Sequence, residues 1–168
     1  REIVRGMGAD IRVRREAAAG AEPAGAMVVR PARLHGSEVP AELVPLAIDE
    51  FPLIFVAAAL ADGPTVIAGA GELRHKESDR IGVMASGLRA LGIEVEERED
   101  GATIQGGRLT GGEIDSAGDH RVAMAFAIAA AAATGPVRIH DTANVATSFP
   151  DFVAQARSVG LHLEATDD

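Results

Sequence analysis

The chain has 168 residues and a formal charge of −9, with 47% hydrophobic and 24% charged residues. These are the proportions of a globular domain with a real core, and they exclude a disordered chain. The acidity, the 3% of aromatics without Trp or Tyr, and the absence of Cys argue against a nucleic-acid partner, an anionic membrane, a disulfide framework and a thiolate metal site. A cysteine-free acidic chain suits the reducing cytoplasm.

The chain begins with Arg1 rather than Met, inside a periodic segment, which reads as part of a longer protein. A helix ends at Met7-Gly8, and Ala9-Asp10-Ile11 leads into a strand. Residues 15–26, rich in Ala and Gly, read as a flexible hairpin loop. Asp49 is placed to cap a helix that closes at Asp62-Gly63-Pro64, and a strand follows at 65–68. The charged run Arg74-His75-Lys76-Glu77-Ser78-Asp79-Arg80 precedes Ile81, Met84, Leu88 and Leu91, an apolar helical stripe. Leu91-Gly92 ends that helix, and short strands are expected at 93–95, 102–105 and 113–115. Asp119 caps the next helix, which is apolar nearly all round and so belongs in the domain centre. It closes at Thr134-Gly135-Pro136, before a strand at 137–140. Its uncharged run, Val122 to Thr134, falls short of the roughly 20 residues of a membrane helix. Ser148 is expected to cap the last helix with Pro150 in its first turn, and Val159-Gly160-Leu161-His162-Leu163 repeats the helix–turn–strand pattern. The tail 165–168 is expected to fray.

These recurrences describe an internal repeat. Glycines 8, 92 and 160 each follow a helix and precede an apolar alternation. Asp49 and Asp119 open helices that both end in Gly-Pro before a strand. The expected class is α/β, with repeated βαβαββ-type units packed around buried helices in one domain. Residues 1–30 would be the tail of one unit, 31–106 a second and 107–168 a third.

Chemistry concentrates at the helix starts. Lys76 and Arg80 are four residues apart, and cations there oppose the helix dipole, so a bound anion would compensate them. A solvated helix start, with Glu77 and Asp79 neutralising the cations, is the simpler reading from periodicity alone. Gly118-Asp119-His120-Arg121 repeats the arrangement at the second helix, which favours a shared anion site over two coincidences. Asp49, beside such a cluster, could act as a general base. The five histidines lack metal-binding spacing, and no phosphate loop, dinucleotide fingerprint or nucleophile elbow is present.

Leu73-Arg74-His75-Lys76-Glu77-Ser78-Asp79-Arg80, Asp119-His120-Arg121-Val122-Ala123-Met124 and Thr147-Ser148-Phe149-Pro150-Asp151-Phe152 resemble three signatures of the 5-enolpyruvylshikimate-3-phosphate synthase family. Leu34-His35-Gly36 and Ile48-Asp49-Glu50-Phe51-Pro52 fit upstream, and the likeness covers essentially the whole chain as the C-terminal part of such an enzyme. The resemblance implies an enolpyruvyl transferase-like domain, one of two similar domains in a monomer without metal or organic cofactor. It implies transfer of the enolpyruvyl group of phosphoenolpyruvate to the 5-hydroxyl of shikimate 3-phosphate with release of phosphate, on the route to chorismate and aromatic amino acids. By position, Arg80, Arg121 and His120 resemble the phosphoenolpyruvate site and Lys76 a shikimate 3-phosphate contact. Asp49 resembles the carboxylate that takes the hydroxyl proton, and Glu77 the group that exchanges a proton with the methylene carbon. Thr147 stands where many relatives carry Lys. Two alternatives share the fold: the enolpyruvyl transferase acting on UDP-N-acetylglucosamine, and a non-catalytic anion-binding module. With the N-terminal domain missing, the chain alone is expected to be inactive.

Overall fold

The computed structural model describes residues 1–15 and 24–166. The expected loop at 15–26 falls mostly outside them, as do the last two residues of the tail. Helix α1 (Glu2–Gly6) leads to a hairpin of β1 (Asp10–Arg15) and β2 (Gly25–Arg30), antiparallel with Asp10 opposite Arg30. Helix α2 (Phe51–Ala59) precedes β3 (Pro64–Ile67), and α3 (Arg80–Ala90) precedes β4 (Val95–Arg98) and β5 (Gly101–Gln105). These strands form an antiparallel sheet in the order β3-β5-β4. Strand β6 (Gly112–Asp115), helix α4 (His120–Ala130) and β7 (Val137–His140) make a βαβ unit whose two strands are parallel, Gly112 opposite Val137. Helices α5 (Ala143–Ser148) and α6 (Phe152–Ser158) follow.

The α/β reading holds, with the strands of the described residues divided among three small sheets. The core lies where α2, α3 and α4 meet. Phe51 and Phe55 of α2, Ile81, Met84 and Leu88 of α3, and Val122 and Phe126 of α4 are all fully buried. Burying a side chain of this size contributes about 1.5–3 kcal/mol. Helix α4 is central as expected, although Ile128 remains 42% exposed. The close approach of α3 to α4 needs Gly87, where a Cβ would lie 2.3 Å from Cζ of Phe126. Glycines 8, 92 and 160 all adopt the left-handed conformation read from the repeat (φ 97°, 86° and 96°).

Four local expectations are corrected. Asp49 does not cap α2: it lies in a 3-10 turn (Pro45–Glu50) before the helix, and Glu50 takes the cap position without a side-chain bond. Pro52 supplies the start instead, since its fixed φ and missing N–H suit a first turn. Lys76 and Glu77 do not lie in the first turn of α3. A 3-10 helix (Gly71–His75) turns extended at Lys76, because Asp79 caps α3 by accepting from Gly82 N and so sets its start later. Ser148 ends α5 rather than capping α6, whose cap position is Asp151. Beyond Gly160, residues 161–166 form no strand, since no neighbouring strand is there to pair with them among the described residues.

Candidate active site at the helix starts

Two Asp-capped helix starts face each other. Asp79 opens α3, and Asp119 opens α4 by accepting at Oδ1 from the backbone N–H of Arg121 (2.9 Å) and Val122 (3.3 Å). Helix packing through Gly87 holds these starts close enough for side chains to meet.

Arg80 is the hub. Its side chain is 1% exposed, and Asp119 beside it is fully buried. Arg80 Nε donates to Asp119 Oδ2 at 2.8 Å, Nη1 to Asp49 Oδ1 at 3.2 Å and Nη2 to Glu77 Oε2 at 2.5 Å. Ser78 Oγ donates to the same Asp119 oxygen at 3.1 Å. Burial alone would lower the Arg80 pKa, but the hydrogen bond and charge of Asp119, with Glu77 and Asp49, outweigh it and raise it. Burial alone would likewise raise the Asp119 carboxyl. The hydrogen bond and charge of Arg80, helped by the amides of Val122 and Arg121, hold it below its ordinary value.

Lys76 Nζ contacts Glu72 Oε1 at 2.6 Å and Asp49 Oδ1 at 3.7 Å. Its hydrogen bond to Glu72 outweighs partial desolvation and raises its pKa, so it stays cationic at neutral pH. Arg121 Nη1 donates to the Asp49 carbonyl at 3.2 Å and to Glu50 Oε1 at 3.4 Å. His120 is half-buried at the first position of α4. Asp49, Lys76, Glu77, Arg80 and Arg121 are therefore one connected cluster, and His120 adjoins it through the backbone. Asp49, Glu77, Glu50 and Glu72 remain about half or more exposed, whereas the cations they touch are more enclosed. The arrangement can offer the part-exposed Lys76 ammonium and Arg121 guanidinium to an anion, with two carboxylates in reach of the same space, whereas Arg80 is opened to one when Glu77 or Asp49 swings aside. Among the described residues no group of His, Asp and Glu is arranged to hold a metal ion.

The compensation expected from a bound anion is met here by carboxylates of the chain itself. Glu77 neutralises as the solvated reading anticipates. Asp79 serves a different cation: Arg74, which it contacts at 2.6 Å and which ties the start of α3 to Glu97 and to the carbonyl of Glu99. Sequence reasoning missed Asp119 as the partner of Arg80. A cap uses one carboxylate oxygen, so a cap buried by an apolar helix has a second oxygen needing a donor, which was the available clue.

Over residues 1–155 the chain matches the family described as EPSP synthase (3-phosphoshikimate 1-carboxyvinyltransferase). The chain belongs to the EPSP synthase family. A relative from Nitrosococcus oceani named 3-phosphoshikimate 1-carboxyvinyltransferase is 60% identical over 160 residues, 95% of this chain and 36% of its own length. One of the same name from Legionella pneumophila is 54% identical over 162 residues, 96% of this chain and 37% of its own. A solved EPSP synthase from Acinetobacter baumannii superposes with a TM-score of 0.94 at 48% identity, covering 99% of this chain and 39% of that one. The chain thus spans less than two fifths of the EPSP synthases it resembles. Membership agrees with the resemblance carried by the three motifs and does not favour the UDP-N-acetylglucosamine enzyme. No helix among the described residues is long and apolar enough to cross a membrane.

Proposed function

We propose that this chain is the C-terminal part of an enzyme that moves the enolpyruvyl group of phosphoenolpyruvate onto the 5-hydroxyl of shikimate 3-phosphate. The observation that carries the reading is the convergence of Asp49, Lys76, Glu77, Arg80 and Arg121 in a chain of this family. In this reading Arg80 and Arg121, with His120 beside them, hold the carboxylate and phosphate of phosphoenolpyruvate. Lys76 meets shikimate 3-phosphate near the reacting hydroxyl. The hydroxyl oxygen bonds to C2 of phosphoenolpyruvate as Asp49 takes its proton, and Glu77 delivers a proton to the methylene carbon. The C2–O bond to phosphate then breaks, the phosphate leaves with the proton that Asp49 had taken, and Glu77 recovers a proton from the same carbon, restoring the double bond. Two carboxylates sharing the cations of one cluster can divide acid and base roles when their surroundings differ. No step calls on a metal or organic cofactor.

The protein acts as a cytoplasmic monomer in this reading, serving aromatic amino acid synthesis. An N-terminal domain closes on the cluster, and residues 31–106 and 107–168 are successive repeat units after the tail 1–30. A steady-state assay of phosphate release from both substrates tests it. The full-length protein turns over and the isolated chain does not. Absence of turnover in the full-length protein refutes the reading, and turnover by the chain alone refutes the need for the second domain.

A further inference from the structure

The two non-glycine residues with positive φ among the described residues, Ala117 (52°) and Asp141 (56°), lie on facing connections. Ala117 is followed by Gly118 at 68°, so the turn entering α4 has two left-handed residues in succession. An alanine there carries a steric penalty and persists only where its surroundings over-determine it. They do so here. Ser116 is fully buried, its N–H donates to the His140 carbonyl at 3.2 Å, and its hydroxyl lies 2.9 Å from that oxygen and 2.7 Å from the Asp141 carbonyl. Asn144, at the second position of α5, donates from Nδ2 to the Gly118 carbonyl at 2.6 Å. Asp115 Oδ1 accepts from the Ala117 amide at 2.8 Å. The residue after Gly118 is Asp119, whose N–H donates to the Ser116 carbonyl at 3.0 Å and whose carboxylate holds both Arg80 and the start of α4.

We propose that this strap sets the position of the cation cluster, with Asn144 and Ser116 as positioning residues for the anion bound by Arg80 and Arg121. The inference rests on the function proposed above. The β7–α5 connection pulls on Gly118 and Ser116, the turn transmits that position to Asp119, and Asp119 transmits it to Arg80. Helix α5 thus shapes the site through geometry, although Thr147 at its end brings no charge to it.

Asn144→Leu is the sharpest test, because it keeps the side-chain size and branching, removes the N–H donor and adds no charge. Losing one neutral hydrogen bond that steers a cation corresponds to about three- to tenfold weaker anion binding. In the full-length protein, KM for phosphoenolpyruvate rises by that factor, kcat stays within about twofold, and KM for shikimate 3-phosphate is unchanged. Ala117→Gly, which removes the left-handed penalty, restores part of the lost affinity in the Asn144→Leu background. Ser116→Ala acts in the same direction if it folds. Unchanged KM in Asn144→Leu overturns the proposal, as does a parallel fall of kcat and melting temperature without the KM split. If the wild-type protein shows no turnover, the proposed reaction fails. Titration with inorganic phosphate by NMR then decides the strap. Weaker phosphate binding by Asn144→Leu than by wild type supports it, and equal binding or none overturns it.

Discussion

Asp119→Ala offers the most demanding check on the ion pair at the centre of the cluster. The change strands a guanidinium of 1% exposure whose Nε had a carboxylate at 2.8 Å. Breaking a buried pair in this way costs about 3–5 kcal/mol, and the lost cap on α4 costs about 1 kcal/mol. Glu77 and Asp49 still face Arg80, so the expected sum stays near 4 kcal/mol. With a urea slope of about 2 kcal/mol/M, that moves the midpoint down by about 2 M. Asp119→Asn retains an acceptor for the Arg121 and Val122 amides and so loses about 3 kcal/mol, the pair with Arg80 without the cap. Replacing both partners by apolar side chains, Arg80→Met with Asp119→Leu, leaves no stranded charge and costs less than either single change. Because the Asp119 carboxyl is held below its ordinary value of 3.8, its contribution is present above that pH and is lost as pH falls below it. The gap between wild type and Asp119→Asn therefore narrows in acid. Urea unfolding followed by circular dichroism at pH 7 and pH 3 measures each quantity. A loss below about 1 kcal/mol for Asp119→Ala at pH 7, or a double variant as damaged as the sum of the singles, refutes the reasoning.

Two further outcomes are expected. Gly87→Ala lowers the melting temperature by about 4 °C: helix propensity gains about 1 kcal/mol, but a Cβ 2.3 Å from Phe126 Cζ costs about 2–3 kcal/mol in overpacking, which calorimetry resolves. Arg121→Ala in the full-length protein lowers kcat/KM for phosphoenolpyruvate by about 2 kcal/mol, near thirtyfold, as for a lost charge-assisted contact; unchanged saturation in steady-state kinetics removes Arg121 from the anion site.

The parts of the fold that could be read from the sequence were those set by local chemistry. The left-handed glycines 8, 92 and 160, the Asp119 cap, the buried α4 and the strand Val137–His140 follow from backbone sterics, capping and periodicity. The misplacements occur where a local preference met a tertiary one. Asp49 has the composition of a cap, yet its carboxylate is drawn to Arg80 and Lys76, and Pro52 begins the helix without it. Asp79 is equally good as a cap and starts α3 there, which leaves Lys76 and Glu77 outside. The tail after Gly160 alternates like a strand, but alternation needs a partner edge. Four of the five clustered site residues stood out as charged helix-start positions, and Asp49 as a repeat position. Their joining through Asp119 showed only as the second oxygen of a buried cap in need of a donor, because no local pattern says which side chain from another helix start supplies it.

The span of the cluster's contacts bears on how it comes into being. Arg80 meets Asp49 across 31 residues and Asp119 across 39, and Arg121 reaches the Asp49 carbonyl across 72. Each contact closes a loop whose entropy must be recovered by the packing of α2, α3 and α4. The cluster is then complete only when those helices are packed together, since each helix start holds only part of it. No peptide cut from a single helix start would reproduce its chemistry: Lys76, Glu77 and Arg80 without Asp49 and Asp119 are three neighbouring charges in water.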